Sequence, residues 1–212
     1  MARTTRPRKR TSSYHSPLRA KQAAQTRRSI VEAAVEHFAR SGWAGTVLPT
    51  IANDAGVAVD TIFATFGTKS ALLMEAVDVA IVGDAEEARM VDRDDFAALG
   101  QGRRAERLRA GVRYTMGVYA RSVPMLRTLR EAAASDDVAR ARLAQYDQDR
   151  RDLTAAGMTL ILGREPSSQL VDSMWALVSP EVYAYLVDGR GWSSARAEDW
   201  FVDMAKAAIA LG

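Results

Sequence analysis

The sequence contains no cysteine and only two histidines among its 212 residues. The lack of cysteine excludes disulfides, thiolate nucleophiles and cysteine-ligated metals, and it suits a reducing compartment. With His15 and His37 as the only imidazoles, the usual sets of nucleophile and base, and of metal ligands, are missing as well. The sequence therefore argues against an enzyme, and we expect no cofactor and no bound metal ion.

Long apolar runs are also absent, because no stretch approaches the ~18 uncharged apolar residues of a membrane span. The N-terminus is basic, but no apolar segment of the kind found in secretion signals follows it. Apolar residues nevertheless make up 48% of the chain, which is enough for a sizeable core. We therefore expect a folded cytoplasmic protein with no membrane partner.

Acidic residues are missing from the start of the chain, where the first acid is Glu32. Residues 1–28 carry nine of the 29 Lys and Arg residues. The rest of the chain therefore holds 20 Lys and Arg residues together with all 26 Asp and Glu residues. A basic arm ahead of a mildly acidic body usually contacts a polyanion, although a merely solvated tail is the alternative. We assign residues 1–23 to a basic, disordered arm.

Strand patterns are missing too, since no run rich in Val, Ile and Thr lies between turn dipeptides. Apolar residues instead recur at helical spacing, as Ile30, Ala34 and Phe38 do in a first helix that ends at Ser41-Gly42. We therefore predict an all-α fold. Further helix starts are predicted at Ser135-Asp136-Asp137, Pro166-Ser167, Ser179-Pro180 and Ser193-Ser194.

Two short helices separated by Gly56 follow the first helix. One is predicted over 47–55 with Thr46 as its N-cap, and the other over 58–66. Short helices joined at a three- to four-residue turn with a glycine are typical of the helix-turn-helix motif, which we place at 47–66. The second helix of such a motif enters the DNA major groove with its N-terminal residues at the base edges.

A fourth helix is predicted to begin after Thr68, its N-cap, with Lys69 in the first turn. The free N–H groups of a helix start and a lysine ammonium together form an anion site. We therefore expect Lys69 to contact a DNA phosphate, the alternative being a solvated lysine.

The run from Arg27 to Leu73 resembles the DNA-binding domain of the tetracycline-repressor (TetR/AcrR) family. The resemblance rests on many positions in order: Ile30, Ala33-Ala34, Phe38, Gly42-Trp43, Thr46, Ile51-Ala52, Ala55-Gly56-Val57, Thr61-Ile62, Phe66, Lys69 and Leu72-Leu73. It implies a homodimeric repressor with a three-helix DNA-binding domain, here 24–84. A larger helical domain, here 85–212, would bind a small ligand and dimerise.

Several positions of this sequence depart from the residue types that are usual in the family. Val47 and Leu48 stand where the family often has Ser or Thr, and Phe63 stands where a tyrosine usually donates to phosphate. Pro49 replaces a residue that often reads bases, and Asp60 replaces a glycine-type residue. Phosphate contacts dominate the affinity of proteins for DNA. We therefore expect another part of the chain to supply the phosphate contacts that these residues cannot make.

The arm is our candidate for that replacement. Arg6, Arg8 and Arg10, separated by Pro7 and Lys9, resemble arms that insert arginines into a minor groove.

Asp60 has two interpretations. In the first, its carboxylate interacts favourably with the positive end of a helix dipole. In the second, it accepts a hydrogen bond from a cytosine amino group, while the Thr61 methyl lies against a thymine methyl. Phe63 and Phe66 are predicted to pack in the core of the small domain. The predicted DNA-binding residues are Arg6, Arg8, Arg10, Arg28, Thr46, Thr50, Val59, Asp60, Thr61, Ala64, Thr65 and Lys69.

The C-terminal part matches the family more weakly, although residues 176–201 resemble the two last helices that usually form its dimer interface. Arg113 and Arg121 either meet an acidic ligand or lie on the surface. The predicted ligand pocket, on helices that line such pockets in the family, comprises Tyr114, Met116, Tyr119, Met125, Leu126, Met158, Met174 and Trp175. The predicted dimer interface comprises Tyr183, Tyr185, Trp192, Trp200, Phe201 and Met204.

The sequence thus predicts a sequence-specific, homodimeric repressor that a small apolar or amphipathic ligand releases from a palindromic double-stranded DNA operator. One alternative is a non-specific DNA-compacting protein that uses the basic arm. The other is a helical enzyme, against which adjacent acid pairs such as Asp94-Asp95 argue because they do not face one another on a helix.

Overall fold

The described part of the chain is helical. The computed structural model describes residues 17–83, 90 and 93–211, and no strand occurs in them, which confirms the all-α prediction. Every helix of these segments is too short or too polar to cross a lipid bilayer. In chain order the helices are α1 (Pro17–Gly45), α2 (Leu48–Asp54), α3 (Val59–Phe66), α4 (Lys69–Val82), α5 (Asp94–Ala97), α6 (Arg104–Ala133), α7 (Asp137–Leu162), α8 (Ser168–Leu177), α9 (Pro180–Ala184) and α10 (Ser194–Leu211).

Helix α1 begins earlier than the sequence predicts. Residues 17–23, which we assigned to a disordered arm, are helical, so that part of the prediction is wrong. Pro17 suits a first helical position, and the Ala, Lys and Gln residues after it are strong helix formers. Residues 1–16 lie outside the described residues.

Gly42 breaks α1 near its end, where the backbone has φ 67° and ψ −171°. Thr46 is only 1% exposed, and its hydroxyl donates to the carbonyls of His37 at 3.1 Å and Gly42 at 2.7 Å. It therefore satisfies carbonyls at the end of α1, whereas the N-cap of α2 is Val47, which makes no side-chain cap bond. The prediction of Thr46 as that N-cap is wrong.

Helices α2 and α3 form the predicted helix-turn-helix. Gly56 has φ 68°, a left-handed conformation that glycine adopts without a Cβ penalty. The amide of Val57 donates to the carbonyl of Ala52 at 2.9 Å, which ties the turn to α2. Ile51 and Ile62 are buried in one core with α1 and α4, so α3 is held at a fixed angle to α2.

The second half of α6 is part of that same core. Met125, Leu126 and Leu129 are buried among the apolar residues of α1 and α4. The buried hydroxyl of Thr128 donates to the carbonyl of Phe38 at 2.8 Å. Helices α1 to α4 and the second half of α6 therefore share one packed interior. Met125 and Leu126 belong to it, which contradicts their prediction as pocket residues.

Glu131 makes a second link from α6 to the end of α1, just before the helix-turn-helix. Its carboxylate accepts hydrogen bonds from the amides of Trp43 at 2.8 Å and Ala44 at 2.9 Å, just before α2. The Ala44 and Trp43 amides, with a smaller effect of Lys69, lower the pKa of this carboxyl. Glu131 is thus kept ionised at the point where α6 meets the helix-turn-helix.

The predicted N-caps of later helices are confirmed. Thr68 accepts a hydrogen bond from the amide of Ala71, and Asp136 accepts one from that of Ala139. Ser167 and Ser179 act in the same way at the starts of α8 and α9. These caps are set by local residues, which is why the sequence shows them.

Replacement of Thr46 by Val should lower the free energy of unfolding by about 1–2 kcal/mol, because two carbonyls at the end of α1 lose a buried donor. Urea denaturation at neutral pH measures this change through the midpoint at constant slope. The control is Thr50→Val, whose hydroxyl is exposed and donates only to the nearby Val47 carbonyl. It should change stability by no more than about 0.5 kcal/mol. Equal effects of the two substitutions would contradict the structural role of Thr46.

Candidate nucleic-acid interface and ligand cavity

The outward surface of the helix-turn-helix includes two large apolar side chains. Val47 is 50% exposed and Phe63 is 49% exposed. Phe63 does not pack in the core, so that prediction is wrong; Ile62, one residue earlier on α3, takes the buried position instead. Phe66 lies one turn further along and does pack against the core. Asp60 is exposed in the first turn of α3.

The other predicted contacts on these helices have mixed exposure. Thr50 and Ala64 are exposed, whereas Val59, Thr61 and Thr65 are half-buried. The hydroxyl of Thr65 donates to the Thr61 carbonyl at 2.7 Å, which leaves its oxygen able to accept but uses its donor. Buried Thr46, by contrast, is withdrawn from the surface, contrary to its prediction as a DNA contact.

Lys69 is engaged inside the protein. Its ammonium donates to the carbonyl of Trp43 at 2.5 Å and lies 4.1 Å from the centre of that indole ring. Burial lowers the pKa of Lys69, and the charge of Glu131 acts in the opposite direction. The ammonium is therefore turned towards Trp43 and not offered to a phosphate, contrary to the prediction.

Positive charge is scarce on the helix-turn-helix. Residues 17–83 hold six Lys and Arg against six Asp and Glu, and no Lys or Arg lies between Arg40 and Lys69. Arg27 pairs with Glu75 and lies over the ring of Phe66. The described motif therefore exposes apolar side chains and no cation between Arg40 and Lys69, so it attracts phosphate only weakly. Arg28, on α1, is exposed.

His37 is a structural residue. Its Nε2 lies 2.7 Å from Oδ2 of Asp54, and its Nδ1 lies 3.1 Å from Nη2 of Arg40. A guanidinium only donates, so Nδ1 accepts and Nε2–H donates to the carboxylate. This hydrogen bond is the main reason why the pKa of Asp54 is lowered, and it fastens the end of α2 to α1.

A cavity of about 600 Å³ lies between α4, α6, α7 and α8. Four predicted pocket residues line it: Tyr114, Tyr119, Met158 and Met174. Two others do not. Met116 packs with Phe201 in the protomer core, and Trp175 lies behind the wall, stacked on Arg150.

The sequence reasoning missed the polar wall of this cavity. Arg142, Tyr146 and Arg150 all line it, at positions i, i+4 and i+8 of α7. That spacing places side chains on one helix face and was the signal available in the sequence. Arg113 and Arg121, which we considered for an acidic ligand, are not in the wall. Arg113 pairs with Glu198, and Arg121 donates to the carbonyls of Gly117 and Ile81.

The tyrosines of the cavity are neutral hydrogen-bonding groups. Burial raises the pKa of Tyr146 to about 12 and raises that of Tyr119 as well. The Tyr119 hydroxyl donates to the carbonyl of Val178 at 2.8 Å. The formal positive charge of the wall therefore comes from its arginines.

The predicted dimer residues separate into two groups. Tyr183 and Phe201 are buried in the core of their own protomer, so they are not available to a partner, contrary to prediction. Tyr185 is 74% exposed, and Trp192, Trp200 and Met204 are half-buried. Trp200 nevertheless stacks edge-on against Phe201, so this surface is continuous with the core.

Comparisons with known proteins agree with this arrangement. A model of the family described as bacterial regulatory proteins, tetR family, matches residues 30–76, which extend from α1 into α4. No curated protein sequence matches the chain.

Solved structures of similar fold cover most of the chain. A TetR-family protein from Mesorhizobium loti has 16% identity and a TM-score of 0.68, over 90% of this chain and 98% of that one. A tetR-family transcriptional regulator from Streptomyces coelicolor has 20% identity and a TM-score of 0.61, over 87% and 83%. The regulator FadR from Bacillus subtilis, in complex with stearoyl-CoA, has 16% identity and a TM-score of 0.63, over 84% and 96%. Residues 30–76 therefore match the tetR family of bacterial regulatory proteins, and the described chain has the fold seen in structures of TetR-family transcriptional regulators.

Proposed function

We propose that the protein is a homodimeric transcriptional repressor that binds a palindromic operator and leaves it when a small amphipathic ligand binds. The observation that carries the proposal is the exposed face of α3, held on α2 by a core that also contains α6. A rigid, exposed second helix is what major-groove reading requires.

We assign base recognition to the exposed N-terminal part of α3. Asp60 is placed to accept from a cytosine amino group, and Phe63 offers an apolar surface for a thymine methyl. Neither side chain neutralises a phosphate, so these residues serve specificity more than affinity.

Dimerisation is assigned to α9 and α10, as the resemblance implies. The exposed Tyr185 and the half-buried Trp192, Trp200 and Met204 supply aromatic and Met surface of the kind enriched at interfaces. Two recognition helices would then meet one duplex about 34–36 Å apart.

Ligand release is assigned to α4, which contributes to both sites. Asp78, Ile81 and Val82 line the cavity, while Leu72 and Leu73, earlier on the same helix, lie in the core below α3. A ligand that prefers one position of α4 shifts the equilibrium only by its differential affinity for the two positions. The FadR structure, with its bound stearoyl-CoA, is a protein of this fold that holds an amphipathic ligand.

Selection of bound fragments from random duplex DNA with the full chain should yield a two-fold symmetric site. Its half-sites should be one helical turn apart, ~34–36 Å, because a symmetric dimer places two α3 helices at that separation. Sequencing of the selected pool measures the symmetry and spacing of the site. Binding that depends steeply on salt but favours no sequence would instead support the DNA-compacting alternative.

Asp60→Ala should relax specificity at one base pair of each half-site. The expected loss of discrimination is about 1–3 kcal/mol at that pair, measured by binding to a panel of operators with single base changes. The control is Glu165→Ala, which removes an exposed carboxylate between α7 and α8, outside the motif, and should leave discrimination unchanged. A uniform loss on every operator with Asp60→Ala would contradict base reading and leave only the helix-dipole interpretation.

Replacement of Arg6, Arg8 and Arg10 by Gln should weaken binding to all sequences and flatten the salt dependence. Each lost phosphate neutralisation reduces the slope of log affinity against log salt by about 0.9. Fluorescence anisotropy at several salt concentrations measures both quantities. The control is Arg103→Gln, an exposed arginine at the start of α6 that pairs with Glu106. An unchanged slope in the triple variant would remove the arm from the interface.

A further inference from the structure

We infer that the ligand of the cavity is an amphipathic carboxylic acid, whose carboxylate binds Arg150 and Arg142 and whose apolar body lies along α7. The inference concerns the chemistry of the ligand, and its effect on DNA binding rests on the function proposed above. It is carried by the arginines of the cavity wall.

Arg150 is a cation without a carboxylate partner in the part of the chain that the structure describes. Its guanidinium lies 4.3 Å above the Trp175 ring, and Nη1 donates to the Trp175 carbonyl at 2.6 Å. Its Nε is buried and has no hydrogen-bond partner, and no carboxylate within the described residues lies within ion-pair distance of this side chain. A partly buried, uncompensated charge is costly, and an anion in the cavity would remove that cost.

Arg142 supplies a second free donor, two turns earlier on the same face of α7. One of its terminal nitrogens pairs with Asp78 of α4, while Nη1 is buried without a partner in the described structure. The two arginines are eight residues apart, so their backbones are separated by roughly 12 Å along the helix. Tyr146 lies between them in the sequence on the same helix face, and all three residues line the cavity.

The acids of the wall do not call for a cationic ligand, because Asp78 is paired with an arginine and Asp149 and Asp152 are exposed to water. Asp78 pairs with Arg142. Asp149 accepts a hydrogen bond from Gln145 at 2.7 Å, and Asp152 accepts one from Gln148 at 2.9 Å. Among the described residues of the wall, Arg150 is thus the charged group that is partly buried and has no partner of opposite charge.

The apolar body of the ligand is indicated by the other end of the cavity. Beyond Arg150, α7 presents Gly157, Met158 and Ile161, and α6 faces them with Leu108 and Val112. Gly157 leaves room where a Cβ would approach the ring of Phe96 at 3.8 Å. The change from charged to apolar lining along one helix matches a molecule with an acid at one end.

This arrangement also links the ligand to α4. A carboxylate that binds Arg142 shares the guanidinium with Asp78, whose ion pair joins α4 to α7. Weakening of that pair would remove one of the polar contacts that hold α4 against α7, another being the hydrogen bond from Ser70 to Asp136. The acid is therefore the chemical group expected to couple binding to release.

Calorimetric titration of the full chain with decanoate, decanol and decylamine, and with 4-phenylbenzoate and its alcohol, tests the inference without DNA. The wild type should bind each acid at least about tenfold more tightly than its alcohol, because two charge-assisted hydrogen bonds are added. Arg150→Gln should abolish this preference, and Arg150→Lys should retain part of it. The matched control is Arg151→Gln, a neighbouring arginine that pairs with Asp172 outside the wall and should keep the full preference.

Several outcomes would overturn the inference: an alcohol or decylamine that binds as tightly as the acid, no binding of either acid, or an undiminished preference in Arg150→Gln. If circular dichroism shows that Arg150→Gln is unfolded, Arg142→Gln replaces it. The same loss of preference is expected in Arg142→Gln, and an undiminished preference there would equally overturn the inference.

The effect of decanoate on operator affinity is measured separately. Acid binding that depends on the arginines but leaves operator affinity unchanged would contradict the proposed release and support the assigned ligand class.

Discussion

The packing of α6 into the core of the DNA-binding helices is the constraint on which the rest of the structure depends. Leu126 and Leu129 are buried together with Phe38 of α1 and Leu72 of α4. A close-packed interior of this kind does not deform continuously, so a change in α6 or α4 moves the helix-turn-helix as a body. The hydrogen bonds of Glu131 to the backbone before α2 add a polar connection at the same junction.

Charge is unevenly distributed along the chain. Residues 17–83 carry equal numbers of basic and acidic residues, and the two helices of the helix-turn-helix have no cation. The strongest concentration of positive charge precedes it, in residues 1–28. Arg142 and Arg150 line the cavity together with Asp78, Asp149 and Asp152, so the wall has no excess of positive charge. The attraction for a polyanion and the recognition of a small ligand that we propose would therefore lie in separate places.

The helix-turn-helix and the caps of Thr68, Asp136, Ser167 and Ser179 were predictable, because each depends on residues a few positions apart. Three of the wrong predictions have one cause in common. Thr46, Phe63 and Lys69 each stand at a position whose local pattern admits two orientations, and packing chose the one that the pattern did not indicate. Thr46 satisfies the end of the preceding helix, and Lys69 finds a carbonyl and an indole ring from Trp43, 26 residues earlier.

By itself the sequence determined the helical content, the glycine turn between the two short helices and the family likeness of the N-terminal region. These follow from helical periodicity, capping and left-handed glycine, which act over a few residues. Only the tertiary structure decided which apolar residues line the cavity and which fill the core. Met158 and Met125 are indistinguishable by local pattern, yet one faces the cavity and the other a neighbouring helix. The rotation of each helix about its axis settles that difference, and it is set by the neighbours against which the helix packs.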